Sequence, residues 1–143
     1  RFEDVYESTD AYWEDFEKMN DIIEEQTGER TELFRFPGGS SNTISQFNEG
    51  IMTRLTQTVQ EMGYRYFDWN VNSEDAEKAT PERVLEATIE GCANKKESMV
   101  LMHDIQKSSM QVIEQFIVWA LDNGYTFLPI TDNTPDFHHP IKN

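Results

Sequence analysis

The chain has 143 residues, about one domain's worth, with 12 basic and 27 acidic side chains and a formal net charge of −15. That balance excludes nucleic acid and anionic membrane surfaces as partners, because a chain this acidic gains nothing from counterion release, and it disfavours a polyanionic substrate while leaving a neutral one open. The apolar runs fall far short of the roughly 20 residues a membrane span needs.

Hydrophobic residues make up 37% of the chain and aromatics 12%, enough for a packed core. The single cysteine, Cys92, excludes an intrachain disulfide and reads as a small core residue. No signal peptide opens the chain. Its charged start, Arg1-Phe2-Glu3-Asp4, reads as the interior of a longer polypeptide.

In chain order, residues 10–27 are predicted helical, with Tyr12, Phe16, Met19, Ile22 and Ile23 at helical spacing. Ser8, Thr9 or Asp10 is the candidate cap, and Gly28 stands where a left-handed stop is wanted. A short strand follows at Leu33–Phe36. The next helix covers about 49–62, with Ile51, Leu55 and Val59 on one face and Gly63 as its stop. Tyr64–Val71, "YRYFDWNV", is aromatic and β-branched and reads as one strand.

Thr80-Pro81-Glu82 is a helix start, with a hydroxyl cap, a proline in the first turn and an acid near the positive end of the helix dipole. Glu97–Asp104, "ESMVLMHD", is a nearly continuous apolar run that fits a strand covered on both faces. Ser108-x-x-Gln111 reads as a capping box before a helix at Val112–Asn123, stopped by Gly124. Tyr125–Thr131 is predicted as the last strand, and 132–143 as an irregular tail. The order, α, then β-α three times, then β, predicts a parallel sheet with helices outside it.

Parallel strands put all their C-terminal ends on one side, which is where α/β folds carry chemistry. The predicted ends deliver Arg35 with Pro37-Gly38-Gly39, then Asp68 and Trp69, then His103 and Asp104, then Thr131 and Asp132. Each of these alone is ordinary for a strand emerging into water. A guanidinium, carboxylates and an imidazole on consecutive strands together point to a site. An imidazole held by Asp75 or Asp104 would suit general-acid work. His138 and His139 read as solvated loop residues.

Three of these segments resemble motifs of the polysaccharide deacetylases, carbohydrate esterase family four. Arg35–Gly39, "RFPGG", is similar to the family's third motif; Asp68–Ala76, "DWNVNSEDA", to its fourth; and Leu101–Asp104, "LMHD", to its fifth. They occur in the family's order along nearly the whole chain. The resemblance implies an α/β fold, a partial distorted (β/α) barrel whose N-terminal strands lie outside this chain. It also implies a hydrolase that removes N-acetyl groups from an amino-sugar polymer such as peptidoglycan or chitin.

By the same resemblance His103 is the general acid that protonates the departing amine, Asp75 orients and charges that imidazole, and Arg35 holds the catalytic-base aspartate. Leu101 lines the acetyl pocket. The Pro37-Gly38-Gly39 turn lets the sugar approach the backbone, and Trp69 offers aromatic surface. Ala76 departs from the motif, which usually has Trp there. A divalent metal, zinc foremost, is implied for the complete domain.

The family's first two motifs, which supply the metal ligands, are expected before residue 1, so no metal ligands are assigned within 1–143. The chain therefore reads as the C-terminal portion of one catalytic domain, inert by itself and prone to self-association through exposed sheet edges. An N-acetylated glycan is the implied partner, and an extracellular or cell-surface location is implied by the family alone. Two other readings stay open. One is a non-catalytic carbohydrate-binding relative using Trp69, Tyr66 and Gly38-Gly39. The other is an unrelated α/β domain with a coincidental rim.

Overall fold

Capping chemistry sets the helix limits in the computed structural model, which describes residues 1–143. The chain divides into two compact units, Arg1–Asp68 with Ile130–Asn143, and Trp69–Pro129.

The first unit opens with a short helix that sequence periodicity did not anticipate, α1 (Phe2–Val5). In α2 (Thr9–Thr27) the Ser8 side chain accepts a bond from the Ala11 amide at 3.0 Å, and Gly28 closes the helix at φ 82°. The buried stripe of α2 runs Tyr12, Phe16, Asn20, while Met19 and Ile22 face solvent. Asn20 takes the third place because its amide grips both the N–H and the C=O of Thr31 at 3.0 Å each, which sets the entry into β1 (Leu33–Phe34).

The next helix, α3 (Ile51–Glu61), buries Ile51, Met52, Leu55 and Val59. It leads into β2 (Arg65–Tyr66), which pairs in parallel with β1 in the register Leu33–Arg65, Phe34–Tyr66. Rings from Tyr12, Phe16, Phe34, Phe36 and Tyr66 fill the space between α2 and this ladder. Such burial stabilises by about 1.5–3 kcal/mol per large side chain.

The second unit holds β3 (Val71–Asn72), a 3₁₀ turn at Asp75–Glu77, α4 (Pro81–Cys92), β4 (Val100–Leu101) and α5 (Lys107–Asp122). β3 and β4 pair in parallel, Val71 with Val100 and Asn72 with Leu101. Thr80 caps α4 by accepting from the Arg83 amide, and Pro81 occupies the first turn as expected. Cys92 is buried with Val71 and Phe116.

Three expectations need correction. Tyr64–Val71 is not one strand: the Phe67 amide still bonds to Phe34, but the Asp68 amide turns to the Phe137 carbonyl and the Asn70 and Val71 amides to Met99. The segment exchanges one partner for another, and the ladder breaks where it does so. Tyr125–Thr131 forms no strand, because no neighbouring strand bonds to it, and Phe127, Leu128 and Ile130 stay exposed. Ser108 does not cap α5; the helix already begins at Lys107, with Gln106 as its N-cap. The two ladders are separate two-stranded sheets. The architecture is α/β with parallel strands.

Gly91 packs inside α4 against β3. A methyl group added there would stand 2.5 Å from the Val71 Cγ1. Glycine normally weakens a helix interior by roughly 1 kcal/mol relative to alanine, yet Gly91→Ala is expected to destabilise the chain by about 1–3 kcal/mol, since Val71 is stiff and buried. Thermal unfolding checks this: a raised melting temperature would show that the helix does not approach the strand so closely.

Candidate functional site

In the second unit the parallel pairing of β3 and β4 sends both chains out on the same side. Beyond β3 the backbone turns sharply through Glu74 at φ 62°, an unfavourable conformation for a residue with a Cβ. A two-pronged ion pair holds it, Arg83 Nε and Nη2 donating to Glu74 at 2.8 and 2.7 Å, which ties the turn to α4. The turn delivers Asp75.

Beyond β4 comes His103. Its Nδ1 meets Asp75 Oδ1 at 2.8 Å, and its own backbone N–H donates to Oδ2 at 2.6 Å. A carboxylate can only accept, so Nδ1 carries the proton and Nε2 is left for chemistry. The Asp75 side chain is 1% exposed and the His103 ring 29%, so the acid is hidden and the imidazole reaches solvent. Of the two carboxylates offered as the partner of His103, Asp75 is the one in contact; Asp104 is exposed.

The Ser109 hydroxyl also donates to Asp75 Oδ2, at 2.5 Å. Burial works to raise the affinity of Asp75 for a proton. The bonds from Ser109 and His103 outweigh it and hold the carboxyl below its usual range. Leu101 and Trp69, also in this unit, are half-buried, and Ala76 is exposed.

In the first unit, Arg35 follows β1 and is exposed. The turn after it is built by backbone: the Gly39 amide donates to the Phe36 carbonyl at 2.7 Å, with Gly38 and Gly39 at φ 77° and 81°. A Cβ on Gly38 would also stand 2.9 Å from Ile44 Cδ1, the end of an exposed side chain that can give way, so the turn needs glycine for its conformation above all. The Tyr6 hydroxyl donates to the Pro37 carbonyl at 2.7 Å.

Asp68, 2% exposed, anchors the far end of that turn. It accepts from the Ser40 amide at 2.8 Å, the Ser40 hydroxyl at 2.5 Å and the His139 amide at 2.8 Å. The tail is irregular, as expected, yet firmly held. His138 stacks on Tyr66 with ring centroids 4.0 Å apart, and Arg65 donates to the Thr134 carbonyl and to Asp136. His138 and His139 are therefore anchored and not merely solvated. Tyr66, offered as part of a sugar platform, is 6% exposed and covered by His138, so its ring face is not available.

Sequence reasoning missed Ser40, Ser109 and the anchoring role of Asp68. The capping reading went to the neighbouring Ser108, and nothing local showed that Ser109 faces a carboxylate 34 residues away. Among the His, Cys, Asp and Glu side chains no group of three or more is placed to hold a metal ion. His103 uses Nδ1 on Asp75, His138 uses Nε2 on the Tyr66 carbonyl, and His139 Nδ1 pairs with Ser41. These residues do not fit the metal that the family resemblance implies.

No protein-family model matches the chain. Over 140 residues it is 23% identical to YheN of Bacillus subtilis, which is named as a polysaccharide deacetylase; the match covers 93% of this chain and 46% of YheN. Its structure superposes with a TM-score of 0.97 and 44% identity on the catalytic domain of a peptidoglycan N-acetylglucosamine deacetylase from Eubacterium rectale, covering 100% of this chain and 66% of that one. A polysaccharide deacetylase from Bacillus cereus matches at TM-score 0.76 and 23% identity, over 99% of this chain and 66% of its own. The chain thus spans about half of the curated relative and 66% of each solved structure.

The lowered proton affinity of Asp75 has a thermodynamic consequence. A carboxyl whose folded value is depressed contributes stability above its unfolded value, near pH 4, and loses it as pH falls through the folded value. Asp75→Asn should cost about 1–3 kcal/mol at neutral pH. Urea unfolding at pH 7 and pH 3 should show the gap between wild type and variant narrowing in acid. A gap independent of pH would contradict the ionised, three-donor carboxylate.

Proposed function

We propose that this chain, which belongs to the polysaccharide deacetylase family, serves in the hydrolytic removal of N-acetyl groups from an amino-sugar glycan, with His103 as the general acid. The observation that carries this reading is the Asp75–His103 pair: a buried carboxylate on Nδ1 of a solvent-reaching imidazole. In amide hydrolysis a bond forms between the water oxygen and the carbonyl carbon, and the C–N bond breaks. An amide anion is a very poor leaving group, so the nitrogen must receive a proton as it departs. His103 Nε2 supplies it, while Asp75 steadies the imidazolium and keeps Nδ1 turned inward.

The other roles follow the family motifs. Leu101 lines the acetyl pocket and Trp69 adds apolar surface. The Pro37-Gly38-Gly39 turn gives the sugar close access to the backbone. Arg35 orients the catalytic-base aspartate. Gly38 and Gly39 support the reading through their positive φ, which keeps side chains off that turn. Peptidoglycan is the favoured substrate, after the Eubacterium rectale relative, and a barrel-like catalytic domain at the cell surface is the favoured setting. Metal ligation, expected of the family as zinc, is assigned to none of the three histidines of this chain.

The test is a chimera in which residues 1–143 replace the matching part of the Eubacterium rectale deacetylase. It should release acetate from N-acetylated glycan. His103→Ala should lower its turnover by roughly 10²- to 10⁴-fold while leaving metal content unchanged. An inactive chimera that retains its metal would count against the deacetylase reading. Loss of metal in the His103 variant would count against the acid role.

A further inference from the structure

The motif resemblance accounts for Asp75 and His103 but assigns nothing to Ser109. We infer that Ser109 is a positioning residue that locks the Asp75 carboxylate, and through it the His103 ring, by its hydroxyl bond. The inference deepens the general-acid reading and rests on it for its catalytic meaning.

The hydroxyl has little else to do where it stands. Thr27, Thr56, Thr58 and Thr88, all in helices, turn their hydroxyls back to the carbonyl four residues earlier. Ser109 is the third residue of α5, so no helical carbonyl lies four residues behind it. Its hydroxyl reaches outward to Asp75 instead, in a place where serine is 3% exposed and Asp75 2%.

The geometry separates two kinds of restraint on the carboxylate. His103 supplies two donors, its ring Nδ1 and its own amide. Both belong to one residue at the end of β4. Ser109 is the third donor and comes from the rigid first turn of α5. With it, Oδ2 is fixed by two independent elements, and Oδ1 is left aimed at Nδ1. Without it, Oδ2 keeps only the His103 amide, and the carboxylate is less tightly held about its terminal bond, a broad two-fold torsion. The ring then loses its single hydrogen-bonded orientation. The buried acid also loses a donor that helps keep it ionised.

The experiment is ¹⁵N NMR of the His103 ring in the full 143-residue chain at a pH where the imidazole is neutral. Wild type should show one tautomer, protonated at Nδ1. Ser109→Ala removes the hydroxyl at no cost in helix propensity and should give a mixture of tautomers. Ser109→Thr should restore the single form. Val112→Ala, one turn further along the same buried face, should lower the melting temperature without altering the ring signals. In the chimera, Ser109→Ala should lower kcat by about 10- to 100-fold, the scale of losing an outer orienting partner, with little change in KM. The proposal is overturned if Ser109→Ala leaves one tautomer, if Ser109→Thr gives a mixture, or if Val112→Ala shifts the ring equally. Ring signals that follow the hydroxyl in an inactive chimera would support the positioning role and place the failure in the deacetylase reading alone.

Discussion

A buried carboxylate with three donors is the constraint on which the rest of the site depends. Asp75 brings a charge to a place with almost no solvent, and an ion left unpaired there would be costly enough to unfold a small unit. It is tolerated because His103 and Ser109 fill its oxygens. Each donor comes from an element whose direction is set elsewhere. β4 is aligned by its parallel pairing with β3, and α5 is held by Val112, Phe116 and Ala120 in the core. The Glu74–Arg83 pair stabilises the left-handed turn that brings Asp75 into place. The fold therefore builds the acid–imidazole pair from strand register, helix packing and one strained corner.

The first unit applies the same logic to backbone. Asp68 is also buried and also takes three donors, but it gathers amides and a hydroxyl in place of a ring. Its bonds tie the turn after Arg35 to the tail. The tail thereby acts in place of a regular strand beside β2: it offers the Phe137 carbonyl to the Asp68 amide, and His138 covers Tyr66. A segment without secondary structure can be firmly held when its carbonyls and side chains are taken up one by one.

Much of this was legible in the chain. Helix limits set by Ser8, Gly28, Thr80 and Pro81 could be read because capping is local chemistry. The pairing of Asp75 with His103 followed from a motif resemblance. What could not be read depended on contacts far apart in sequence. The break in Tyr64–Val71 arises because Asp68 finds Phe137, 69 residues on, and no pattern of alternation contains that choice. Tyr125–Thr131 has a strand's composition but no bonded neighbour, and a strand is defined by its neighbour. Ser109 drew no notice because its partner, Asp75, lies on another element.

The central claim is that His103, held by Asp75, gives a proton to a departing nitrogen. Leaving-group dependence tests it most directly, in a catalytically competent protein containing this chain. Acetate release should be compared between wild type and a His103→Gln variant on two substrates, an N-acetyl sugar and an activated phenyl acetate whose phenolate departs without a proton. The account requires a large deficit on the amide and a small one on the activated ester. Equal deficits on both would show that His103 does something other than protonate the leaving group.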